Sequence, residues 1–159
     1  IPSGCGIMIL ATHDLEMTDN TIAGNRTVGT GIISYELVAA LSAEDEVQNE
    51  APGGTRTVND NFRADSLYNP FPYNIRISGN RFSNSHWFPT LSHDIGILFL
   101  MKSFGLPPDI AFDGIRPDDS DPRICTDGNE GAETILYLDA VHDFEGFEKN
   151  PERLKCGGK

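Results

Sequence analysis

Apolar residues alternate with polar ones in two segments of the chain that match position for position. The first runs Leu15-Glu16-Met17-Thr18-Asp19-Asn20-Thr21-Ile22-Ala23-Gly24-Asn25, the second Ile75-Arg76-Ile77-Ser78-Gly79-Asn80-Arg81-Phe82-Ser83-Asn84-Ser85. Period-two alternation puts Leu15 and Met17, or Ile75 and Ile77, on one face of a short strand. Asp19-Asn20 and Gly79-Asn80 then bend the chain, because Asn, Asp and Gly tolerate positive φ. After the bend Ile22 or Phe82 points inward again. Two Gly-led apolar strands, Gly6-Ile7-Met8-Ile9 and Gly31-Ile32-Ile33-Ser34, lie 25 residues apart and read as stacked rungs of one sheet.

Strand, sharp Asn turn and strand make most of one coil of a solenoid. Stacked coils would let the turn asparagines hydrogen-bond in a ladder. The expected fold is therefore all-β, a right-handed parallel β-helix with long side loops and one short helix; an antiparallel sandwich with Asn turns is the competing reading. The 159 residues suit one domain. Residues 1–35 and 74–88 read as coils, 36–73 and 89–108 as side excursions, and 109–159 as C-terminal strands and a cap. Glu36 to Ala43 favours helix, and Leu91 to Phe104 reads as a short helix ended by Gly105 and Pro107-Pro108. Short strands are expected at Asp109–Phe112, Arg123–Cys125 and Thr134–Leu138.

Composition narrows the classes of function. A hydrophobic fraction of 38% is enough for a core, and no apolar run is long enough to cross a bilayer. Twenty-four acidic residues against 12 basic ones give a net charge of −12, which repels phosphate backbones and argues against nucleic acid as a partner. The three cysteines form no Cys-x-x-Cys pair. Cys125 and Cys156 bracket the last part of the chain and are expected to form a disulfide, with Cys5 left over. Gly6 to Ile9 already has the pattern of an interior rung. Residues 1–10 are thus expected to stack on further N-terminal coils or on a partner chain.

The succession Gly6-Ile7-Met8-Ile9, Leu15-x-Met17-x-x-Asn20-x-Ile22, Asn25-Arg26-Thr27-Val28-Gly29 resembles bacterial exported parallel β-helix repeat proteins of the pectin-lyase-like fold. So do Asn69 to Ile75, Pro107 to Ile115, and Arg123-Ile124-Cys125 with the late Cys156. The resemblance covers most of the chain, as the C-terminal portion of such a protein. It implies a secreted or periplasmic location and polysaccharide binding or processing, with lyase or epimerase chemistry foremost. A non-catalytic structural or assembly subunit of a periplasmic or surface complex is the alternative.

The sequence lacks the Asp-Pro-His-Glu of alginate epimerases and the acidic motifs of polygalacturonases. What remains are individual candidates. His13, Asp14 and His86 are placed to act as acid or base. Trp87, Tyr68 and Tyr73 offer aromatic surface to a sugar. Asp118, Asp119 and Asp121 form an acidic loop of the kind that holds Ca²⁺ through carboxylate oxygens.

Overall fold

The computed structural model describes residues 4–40, 67–83, 107–118 and 120–157. Ten short strands form in chain order: β1 (Cys5–Leu10), β2 (His13–Met17), β3 (Thr21–Ala23), β4 (Val28–Ile33), β5 (Tyr73–Ile77), β6 (Arg81–Ser83), β7 (Ile110–Phe112), β8 (Ile124–Cys125), β9 (Ile135–Tyr137) and β10 (Glu148–Lys149). They group into a five-stranded sheet in the order β1-β4-β7-β9-β10, a three-stranded sheet β2-β5-β8 and a two-stranded sheet β3-β6. Residues 35–40 are helical. Ala140–His142 and Glu152–Leu154 are single 3₁₀ turns.

Pairing runs parallel through most of this arrangement, and it puts like residues over like. In the large sheet Ile9 lies beside Ile32, Ile32 beside Phe112, and Phe112 beside Tyr137. In the second, Leu15, Ile75 and Ile124 share one column. In the third, Ile22 lies beside Phe82. These columns meet in one core that contains Ile9, Met17, Ile22, Ile32, Ile75, Ile77, Phe82, Ile110, Phe112 and Ile124, with Leu15 partly buried against it. All six residues of β4 are buried, because it has a strand on either side and apolar or small residues throughout.

These residues do not form the expected closed right-handed parallel β-helix. Among the described residues the strands make three separate small sheets, with no closed solenoid. The largest sheet is mixed: Glu148 and Lys149 pair antiparallel with Tyr137 and Leu136. The cause lies in the chain after β9. Asp139, Asp143 and Phe144 all take left-handed φ values around the Ala140–His142 turn, which reverses the chain so that β10 returns along β9. The fold is strand-rich but not all-β, since it includes the helical segment at 35–40. The helix expected over Leu91 to Phe104 lies outside the described residues, as does most of both excursions.

The rungs are also offset differently from the glycine spacing. Met8 pairs with Gly31, and Cys5 with Val28, so the repeat is 23 residues rather than the 25 between Gly6 and Gly31. A slip of two residues keeps the same side chains on the same face, so alternation alone cannot distinguish the two registers.

Candidate functional site

The bend between the second and third sheets is built three times over. Asp19, Gly79 and Gly128 occupy it with φ of 58°, 70° and 76°. Each is followed by an asparagine: Asn20, Asn80 and Asn129. Asn20 Nδ2 donates to Asn80 Oδ1 at 3.0 Å, and Asn80 Nδ2 donates to Asn129 Oδ1 at 3.0 Å. The backbone amides of Asn20 and Asn80 donate to the same two oxygens. Asn80 is 1% exposed, and its Nδ2 also reaches the Met17 and Ser78 carbonyls. A buried amide with this many partners fixes the bend. Next to it Gly131 is at φ 73°, and a Cβ there would fall 2.4 Å from the Phe82 carbonyl oxygen.

Outside this ladder lies a cleft of about 420 Å³. Its walls carry Asp19, Thr21, Arg81 and Glu130, with Asn20 and Asn80 behind them. Thr21 and Arg81 are paired residues of β3 and β6, and Arg81 forms a parallel bridge to Glu130. The Arg81 Nε lies 3.0 Å from Glu130 Oε2, and both side chains are mostly exposed. An exposed pair of this kind contributes little to stability, at most about 1 kcal/mol. The cleft therefore presents carboxylate acceptors, a guanidinium donor and a hydroxyl, held by a rigid backbone.

The residues singled out from sequence lie elsewhere. His13 Nε2 is 2.9 Å from the Phe71 carbonyl oxygen. A carbonyl only accepts, so Nε2 carries the proton in that contact. Asp14 takes a left-handed φ of 53° and accepts from Asn74 Nδ2. Tyr73 lies under the Arg123 guanidinium, 5.5 Å from ring centre to Cζ. The Tyr68 ring is 6.4 Å from that of Tyr35. Asp118 and Asp121 each accept the backbone amide two residues on, from Ser120 and Arg123. The Ser120 bonds, helped by Arg116, hold the exposed Asp118 carboxyl below its ordinary range. His86, Trp87 and Asp119 lie outside the described residues.

Thr21, Arg81, Asn129 and Glu130 were not singled out. The signal for the last two was present: Ile124-Cys125-Thr126-Asp127-Gly128-Asn129 matches Ile75-Arg76-Ile77-Ser78-Gly79-Asn80.

Among the described residues three buried carboxylates are committed to the fold. Asp109 accepts from the amides of Glu133 and Thr134. Asp139 accepts from the Gly146 amide and contacts His142 Nδ1. Asp113, fully buried, accepts from the amides of Ser34 and Ile115 at 2.7 and 3.0 Å. Burial pushes the Asp113 carboxyl up to about 6, against the opposing pull of those bonds. A folded-state value above the unfolded one means that the native state holds the proton longer. The associated stabilisation is complete below about pH 4 and is lost as pH rises through about 6, an effect of about 3 kcal/mol. Urea denaturation of the wild type and Asp113→Asn between pH 4 and 7 is expected to show their stability difference changing in that window. A constant difference would contradict this.

Cys125 and Cys156 form a disulfide, and Cys5 is free and partly buried. Among the described residues no helix is long and apolar enough to cross a membrane. No family model matches the chain, and no curated protein or solved structure matches it.

Proposed function

We propose that the chain binds a neutral polysaccharide in the cleft along Asp19, Thr21, Arg81 and Glu130, and that it works in an extracytoplasmic, oxidising compartment. The observation that carries this reading is the cleft itself: donors and acceptors project from adjacent rungs that the Asn ladder, centred on the buried Asn80, holds together. A sugar hydroxyl both donates and accepts. Carboxylates accept a hydrogen bond from its O–H and a guanidinium donates one to its oxygen, so this mixture suits vicinal hydroxyls. The net charge of −12 favours an uncharged chain over a polyuronate. The disulfide supports the compartment.

Calorimetric titration with neutral glucan and galactan oligomers, beside polygalacturonate oligomers, tests the reading. Saturable binding of a neutral oligomer is expected, weakened about tenfold or more by Arg81→Ala, equivalent to about 1.4 kcal/mol. Absence of binding, or an Arg81→Ala protein that binds like the wild type, would overturn it.

A second reading rests on strand order. Among the described residues the strands β1, β2 and β3 each stand at the edge of their own sheet, so residues 5–23 offer three edges at one end of the stack. Edges of this kind accept added strands. A partner chain stacked there would make the protein an assembly subunit. Sedimentation of the native protein is then expected to give a mass above that of one chain, and a strict monomer would count against it.

A further inference from the structure

We propose that reduction of the Cys125–Cys156 disulfide by a dithiol opens a three-ligand zinc site made of the two thiolates and the Asp127 carboxylate. The ligand atoms of Cys125, Asp127 and Cys156 all lie within 4.8 Å of one another. The Cys125 sulfur is already 3.7 Å from Asp127 Oδ1. In tetrahedral zinc sites with Zn–S near 2.3 Å and Zn–O near 2.1 Å, neighbouring ligand atoms sit about 3.5–4 Å apart. The carboxylate is thus already at ligand spacing from the Cys125 sulfur. The two Cα atoms are 4.8 Å apart, so the sulfurs can separate to that spacing by side-chain rotation.

The two cysteines are held together independently of their covalent bond. Thr126, next to Cys125, donates both its amide and its hydroxyl to the Leu154 carbonyl, at 2.8 and 3.1 Å. Leu154, two residues before Cys156, is buried in the core. Asn129 Nδ2 donates to the Thr126 carbonyl, tying Asp127 into the same turn. Reduction therefore leaves two thiols facing each other instead of releasing the C-terminal segment.

The pair is also reachable. Ile124 is buried and Cys125 follows it on the outer face of β8, in register with the exposed Arg76. Cys125, Asp127 and Cys156 are all partly exposed. That leaves room for the reductant and for a water as fourth ligand. A dithiol thiolate attacks one sulfur, the S–S bond breaks, and a second attack releases the reductant as its own disulfide. Two electrons and two protons pass to the cysteines. Zinc then displaces both thiol protons to solvent and binds two thiolates and one carboxylate, leaving a net charge of −1 at the site. The C-terminal segment is fastened covalently when the pair is oxidised and by metal when a dithiol has reduced it.

The experiment uses the full chain with Cys5→Ser, so that the only thiols are the proposed ligands. Cobalt(II), a spectroscopic substitute for zinc, is titrated into the reduced and the oxidised protein. The reduced protein is expected to bind one ion with a thiolate-to-cobalt charge-transfer band, which zinc abolishes on displacing cobalt. The oxidised protein is expected to show none. Asp127→Asn keeps the side-chain shape and should weaken cobalt binding about tenfold or more, equivalent to about 1.4 kcal/mol. Overturning results are a reduced protein without the band, an equal band in the oxidised protein, or Asp127→Asn affinity unchanged. A reduced chain that unfolds and is not restored by zinc also overturns the proposal.

Discussion

Replacing Cys125 and Cys156 together by serine is expected to lower the stability of the protein by about 3–4 kcal/mol. The disulfide closes a loop with a sequence separation of 31. Chain-entropy arguments for a loop of that length give a loss of this size when the cross-link is removed. The loop carries β9, β10 and both 3₁₀ turns, so the cost falls on the antiparallel end of the large sheet. Urea denaturation of the double variant, in the absence of added metal, measures it. Thiol labelling of the unreduced, denatured wild type should find one thiol, Cys5. Three labelled thiols would contradict the pairing, and a double variant within 1 kcal/mol of wild type would contradict the magnitude.

Asn80 is the second position at which a small change should have a large effect. Its oxygen accepts from Asn20 Nδ2 and the Asn20 amide, and its nitrogen reaches the Met17 carbonyl, the Ser78 carbonyl and Asn129 Oδ1. Asn80→Ala leaves several of these groups without a partner in the interior. At about 1–3 kcal/mol for each buried polar group left unsatisfied, a loss of about 3 kcal/mol is expected. Asn80→Asp is the sharper test. It preserves shape but replaces the donating nitrogen by an oxygen that faces three acceptors. It should be at least as damaging as alanine at neutral pH. Asn20→Ala, at an exposed position, should cost less than about 1 kcal/mol. Equal urea midpoints for Asn80→Asp and the wild type would show that the ladder does not carry this load.

The equivalence of Asn20 and Asn80 was legible in the sequence because it rests on local chemistry: a left-handed residue, an asparagine, and apolar residues at fixed offsets before and after. The third copy, Gly128-Asn129, was legible in the same way, but its strand is only Ile124–Cys125 and Thr126 replaces the second apolar residue. The absence of closure was not legible. Nor was the mixed character of the large sheet: Asp139, Asp143 and Phe144 turn the chain back after β9, and nothing in a pattern of apolar alternation distinguishes a strand that continues parallel from one that returns. The cleft was missed for a related reason. Thr21, Arg81 and Glu130 are ordinary exposed residues in sequence, separated by 60 and 49 positions at their rungs, and only the register brings them together. His13 and Asp14 drew notice as a pair of acid–base types, but each is bonded to the chain around residues 71–74.

The most direct test of the function is a map of amide chemical shifts during titration with the neutral oligomer that binds. Saturable shifts are predicted at Thr21, Arg81 and Glu130, on three adjacent rungs, with His13, Asp14 and Asp118 unmoved. Shifts centred on the His13–Tyr73 face, or scattered without saturation, would contradict the assignment of the cleft.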